Sequence, residues 1–181
     1  MWCWVFDLLL RNRKCFLYGL DISTRNVSIV DKNFSEQKNF KGCEVTNDGF
    51  FNNKKLFFDV IFLVECIEHI LPDKLDECLK RIFHLLKIGG SLVLTTPNKE
   101  NFFKEKALCP CCGAMFHRVQ HMSQWTTSTL VERMRSCGFI EKYCFETAFT
   151  GYWYLNKFYG IAYKFYYGHK PNLIYIGQKL K

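Results

Sequence analysis

The sequence predicts an α/β fold built around a parallel sheet, and two observations carry the prediction. Residues 57–98 read strand, helix, strand. The flanking runs, 59–64 and 91–96, are β-branched and aromatic without alternation, as in strands buried on both faces. Between them Leu75, Leu79, Ile82 and Leu86 recur at helical spacing. A crossover of that length between buried strands forms a right-handed βαβ unit, so the two strands run parallel.

The other elements follow in chain order. Residues 1–15 read as a short helix offering Trp4, Leu8 and Cys15 for burial, and residues 16–21 as an apolar strand ending in Asp21. Ser23 is the expected N-cap of a helix over 23–31. A strand and its loop are expected within 38–48, and the Asn-, Gly- and Lys-rich residues 47–55 read as loop. Pro72 and Asp73 open the crossover helix, and Gly89-Gly90 is expected to close it. Its acids (Asp73, Asp76) precede its bases (Lys80, Arg81, Lys87), matching the helix dipole. An insert over 99–124 interrupts the rhythm. Helix resumes over 127–137, Gly138 ends it, and strands are expected over 140–147 and 172–181. The aromatic stretch 153–167 between them is helix or loop.

At 181 residues and 49% hydrophobic, the chain suits one domain rather than two. A net charge of +8 permits an acidic partner. No dense basic run focuses that charge, so nucleic acid is open as a partner but not favoured. The ten cysteines are scattered through apolar segments with no secretory leader, which points to reduced thiols and a cytoplasmic protein. No apolar run approaches the length of about 20 residues that spans a bilayer.

The wording FDVI, then ECIEHI, then LKRIFHLLKIGGSLVLTTPN resembles strands four and five of the class I S-adenosylmethionine-dependent methyltransferases. WTTSTLVERMRSCGF resembles that family's sixth helix and the entry to its sixth strand, and NLIYIGQKLK its last, antiparallel strand. The resemblance implies a Rossmann-like sheet, mostly parallel with an antiparallel last strand. It also implies S-adenosylmethionine as methyl donor. Asp21, at the end of the family's second strand, would accept hydrogen bonds from the donor's ribose hydroxyls. Asp48, with Glu44 as competitor, would reach the adenine, and Glu65 would face the donor. One departure stands out. The family's glycine loop belongs roughly 17 to 20 residues before Asp21 by the dinucleotide-fold spacing, where this sequence has Met-Trp-Cys-Trp. The expectation is a sheet lacking its first strand, from a truncated or late-started frame, that binds the donor weakly or not at all.

Two constellations carry chemistry. Glu65, Glu68 and His69 share a face if the turn is helical. They could hold a metal, as the resembling motif does in small-RNA 2′-O-methyltransferases. Alternatively His69 is the general base that deprotonates an acceptor hydroxyl, or Glu68 and His69 only orient the following helix. In the insert, Cys109, Cys112, His117 and His121 have spacings that could close a tetrahedral zinc site, with Cys111 left over. A rival reading puts His121 and Trp125 in an acceptor pocket, and the plainest packs them beneath the next helix. The functional expectation is O-methylation of a small molecule or sugar. Its alternatives are an RNA 2′-O-methyltransferase and a cofactor-free remnant or interaction module.

Overall fold

The computed structural model describes residues 15–149 and 153–180. The expectations for Trp4, Leu8 and the missing first strand fall outside them. The chain divides into two compact units, one ending at Lys55 and one beginning at Leu56.

In the first unit, β1 (Leu17–Asp21) pairs in parallel with β2 (Phe40–Val45), joined by α1 (Thr24–Phe34). Ser23 caps α1, its hydroxyl accepting from the Asn26 N–H. The two strands meet closely at Gly19, where a Cβ would lie 2.8 Å from the Cys43 sulfur. Residues 47–55 are not all loop. The Asn47 side chain accepts from the Phe50 N–H at 2.9 Å and starts α2 (Asp48–Asn53). The asparagine that signalled a loop is here a helix cap.

The second unit holds a four-stranded sheet in the order β3 (Phe58–Val64), β4 (Leu86–Pro97), β8 (Asn172–Gln178), β7 (Ile140–Thr147). β3 and β4 are parallel across the crossover helix α3 (Pro72–Leu85), as expected, and β8 runs antiparallel to both neighbours. Leu75, Leu79 and Ile82 of α3 pack into one core with Leu92 and Leu94 of β4, Tyr175 of β8, and Leu130 and Met134 of α4 (Thr127–Ser136). α5 (Trp153–Tyr167) precedes β8.

Two local expectations are corrected. Val60 and Phe62 are exposed rather than buried, and among the described residues β3 is the edge strand of this sheet. Gly89 is left-handed at φ +81, yet α3 has already ended at Leu85. The glycine instead serves an irregularity in β4, where the pairing jumps from Phe58↔Leu86 to Val60↔Ser91. The end of α3 is satisfied by a distant residue: the buried Lys179 ammonium donates to the carbonyls of Phe83 (2.8 Å) and Leu86 (3.0 Å).

Within the insert, β5 (Lys106–Leu108) and β6 (Met115–His117) form a separate antiparallel hairpin.

Candidate active site: a carboxylate and imidazole cluster at the end of β3

Glu65 ends the strand in a left-handed conformation (φ +45), with its N–H donating to the Thr95 carbonyl of β4 at 3.0 Å. The helical turn Ile67–His69 then folds inward, burying Ile67 and Glu68 almost completely. The Glu68 carbonyl accepts from the N–H groups of Met122 (2.6 Å) and Ser123 (3.3 Å), which ties the end of the insert to this turn. Lys99 donates its N–H to the Trp125 carbonyl at 2.8 Å, closing the other end. Lys99 (φ +51) and Gln120 (φ +59) are also left-handed, and each directly precedes a site residue, Glu100 and His121. Such conformations cost on the order of 1–3 kcal/mol each and persist only where the surroundings hold them.

The resulting cluster has two overlapping sets of ligand atoms, Glu68–His69–His121 and Glu100–His117–His121, each within 4.8 Å of one another. Hydrogen bonds distinguish the sets. His69 Nδ1 lies 3.3 Å from the Gln120 carbonyl, which can only accept, so Nδ1 carries the proton and Nε2 keeps its lone pair. His121 Nδ1 lies 2.5 Å from Glu100 Oε2, so in the neutral ring the proton sits on Nδ1 and the lone pair on Nε2. His117 is the reverse case. Its Nδ1 accepts the His121 backbone N–H at 3.2 Å, which puts its proton on Nε2, 3.7 Å from Glu100 Oε1. His69 and His121 are therefore prepared as ligands or bases, whereas His117 is prepared as a donor toward Glu100. The three rings form a file, with centroids 4.7 Å apart from His69 to His121 and 4.9 Å from His121 to His117.

The carboxyls complete the set. Glu68 is 1% exposed; Oε2 accepts from the Thr96 hydroxyl at 2.9 Å, while the buried Oε1 has no partner. Burial pushes its pKa up to about 7, and the neighbouring Glu65 adds to the shift. Burial also raises Glu65, against a hydrogen bond from Thr95, and its Oε1 is likewise buried without a partner.

The other expected site residues lie elsewhere. Of the expected group, Cys109 and Cys112 sit in the turn between β5 and β6 and belong to neither ligand set, while His117 and His121 lie beside Glu100. Trp125 is 5% exposed and packs in the core with Leu130 and Met134. In the first unit, Asp21 Oδ1 accepts from the Ser23 N–H (2.8 Å) and the Asn26 amide (3.2 Å), while Oδ2 accepts from Asn26 alone (3.2 Å). Asp48 begins α2 and is exposed; Glu44 is exposed within β2. Sequence reasoning missed Glu100, Thr95 and Thr96. The available signal was an acid two residues beyond the Thr-Thr-Pro-Asn strand end.

The parallel β1–β2 pair ending in Asp21 and the mixed sheet of the second unit each agree with the Rossmann-like fold that the methyltransferase resemblance implies. The chain belongs to the methyltransferase domain family, whose model matches residues 4–140. Its fold is similar to that of an S-adenosylmethionine-dependent methyltransferase from Methanosarcina mazei, at 16% identity and TM-score 0.66, over 97% of this chain and 86% of that one. It is also similar to phosphoethanolamine N-methyltransferase 2 of Haemonchus contortus, bound to phosphomonomethylethanolamine and S-adenosylhomocysteine. That likeness has 16% identity and TM-score 0.63, over 97% of this chain and 46% of that one. The [4+2]-cyclase SpnF shares the fold at 15% identity and TM-score 0.64, over 96% and 70%. No curated protein matches the sequence. Among the described residues no helix is long and apolar enough to cross a membrane.

Proposed function

We propose that this chain methylates a hydroxyl oxygen of a small molecule or sugar, with Glu68, His69 and His121 holding a divalent ion beside the acceptor. The observation that carries the reading is that Glu68, His69 and His121 each bring a ligand atom within 4.8 Å of the others, with Glu68 Oε1 buried and unpartnered. Two imidazoles and a carboxylate suit zinc better than magnesium. Bound there, the ion supplies Lewis acidity that lowers the pKa of an acceptor hydroxyl. The remaining work belongs to the chain. Methyl transfer from a sulfonium needs the acceptor aligned and its proton removed, with little covalent help. Asp21 keeps acceptor capacity on Oδ2 for a ribose hydroxyl of the donor, and Asp48 and Glu65 keep the donor contacts that the family resemblance gives them. Glu65, Glu68 and Glu100 place three carboxyls around one site, which disfavours a polyanionic acceptor such as RNA. A cytoplasmic setting agrees with the free thiols of the described cysteines.

A second reading rests on a different observation. His69 is the exposed member of its ligand set, so its Nε2 can meet an acceptor directly and act as a metal-free general base. Metal analysis together with a labelled-donor assay over a panel of hydroxyl acceptors separates the two. The metal reading expects chelator to abolish transfer and zinc to restore it. Full activity after chelation, lost in His69→Gln, would establish the base instead. No transfer to any hydroxyl acceptor, with transfer to amines, would overturn O-methylation.

A further inference from the structure

The helix α5 turns an apolar stripe to solvent. Contacts identify its packed side: Gly160 is buried, with the place of a Cβ 3.1 Å from the Ala148 Cβ, and the Tyr163 ring lies 5.6 Å from the ring of His169. Phe158, Ile161 and Phe165 recur at spacings of three and four, which gathers them on a different face of the helix. They are 71%, 57% and 93% exposed. A single exposed apolar side chain is ordinary on a protein surface, whereas a stripe of three along two turns marks a surface that meets something.

The charge beside the stripe has one sign. Residues 147–181 contain five lysines and no acid. Two of those lysines, Lys157 and Lys164, are exposed on α5 itself. Being seven residues apart, they stand above one another along one edge of the stripe. Tyr166 lines the opposite edge and is exposed. The insert extends the pattern: the Lys104 ammonium lies 5.9 Å from the Tyr167 ring centroid, and the exposed Phe103 carries the Lys106 ammonium 4.7 Å from its own. Glu105, between those lysines, is spent on Arg118 at 2.7 Å. An apolar stripe edged by lysine and tyrosine suits a helix lying in the interface of an anionic bilayer, where rings enter the acyl boundary and long lysine stems keep their charge among phosphates. At 15 residues α5 is shorter than the about 20 that cross the hydrocarbon core, so it lies on the bilayer and does not span it. A protein partner would have to place acids opposite these particular lysines, whereas a layer of anionic headgroups meets them at any position.

We propose that α5 docks this chain on an anionic phospholipid surface, with Phe158, Ile161 and Phe165 entering the boundary between headgroups and acyl chains and Lys157 and Lys164 facing lipid phosphates. The inference does not rest on the acceptor or metal reading, because binding is measured without donor, acceptor or metal. Full-length protein is sedimented with vesicles of phosphatidylcholine alone and with vesicles containing about a quarter phosphatidylglycerol. The expected result is binding to the anionic vesicles that falls as salt rises, with little binding to the neutral ones. Phe165→Asp is expected to lower partitioning roughly 10- to 100-fold, the worth of one buried aromatic ring. Lys157→Gln combined with Lys164→Gln should lower it roughly tenfold or more and flatten the salt dependence. Ile88→Ser, at an exposed apolar position at the opposite end of β4 from Pro97, should change nothing. All these positions are exposed, so circular dichroism should match the wild type; should Phe165→Asp misfold, the lysine pair carries the test. Equal binding to both kinds of vesicle, no binding to the anionic ones, or partitioning unmoved by the α5 substitutions would overturn the proposal. So would a dimer in vesicle-free solution that Phe165→Asp splits, since a second copy would then own the stripe. Docking without methyl transfer would leave the proposal standing and count against the functional reading alone.

Discussion

Glu100 is the residue on which the site's chemistry turns, although no ligand role is assigned to it. It fixes the His121 tautomer through Nδ1 and is itself faced by the protonated edge of His117. A carboxylate behind a metal-ligating imidazole raises its basicity and holds its ring. Glu100→Gln is therefore expected to weaken zinc affinity roughly 10- to 100-fold while leaving the melting temperature of the metal-free protein nearly unchanged. Competition against a chromophoric chelator measures it, and an unaltered affinity would remove Glu100 from the site. Gly19 poses a packing question instead. With Cys43 Sγ 2.8 Å and its Cβ 3.2 Å from where a Cβ would lie, Gly19→Ala must displace the Cys43 side chain from its place, at a cost of about 1–3 kcal/mol. Urea unfolding checks it. The same crowding explains why burial pushes the Cys43 thiol up to about 11, with Asp31 and Asp21 adding to the shift. The unfolded thiol ionises first, so this contribution to stability is intact below about pH 9 and is lost as pH rises toward 11.

At the scale of elements, the helices are ended by residues that local pattern identifies unevenly. Thr126 caps α4 in a reciprocal box with Thr129, and Thr126→Ala is expected to cost about 1 kcal/mol. The far end of α3 depends on Lys179, 96 positions beyond Phe83 in sequence. Lys179→Met removes two charge-assisted bonds to buried carbonyls and is expected to cost about 2 kcal/mol or more. Amide exchange should show the last turn of α3 opening first. If exchange there matches the wild type, the cap contributes nothing. The short turn after β3 follows the same principle. Its register is held by the Glu68 carbonyl bonds to Met122 and Ser123, so the insert and the turn are expected to order together.

For the whole molecule, the proposed chemistry divides between two units. Asp21→Ala, in the first, should weaken S-adenosylmethionine binding by about 1–3 kcal/mol, the worth of charge-assisted hydrogen bonds. It should leave zinc affinity at the cluster of the second unit unchanged. Calorimetry with donor and metal, each alone, measures both. Equal loss of the two would show that Asp21 acts through folding and not through the donor.

Periodicity and cap chemistry were enough to determine the parallel β3–β4 pair and its crossover helix, because a spacing of 3.6 residues and an unbroken apolar run are local properties, whereas α2 and the β5–β6 hairpin were not legible. The wording around Glu65, Glu68 and His69 likewise drew these residues together as one candidate cluster, since residues within one turn are neighbours however the rest folds. Tertiary structure alone decided which distant partner completes it. His121 arrives through the backbone bonds of Met122 and Ser123, and Glu100 through the bond between Lys99 and Trp125. Left-handed residues before each set their direction. Ligand spacing in the insert suggested that cysteines and histidines belong together, but spacing is blind to tautomer. The hydrogen bonds at Nδ1 turn His121 toward the carboxylate cluster and leave the thiols on a hairpin of their own.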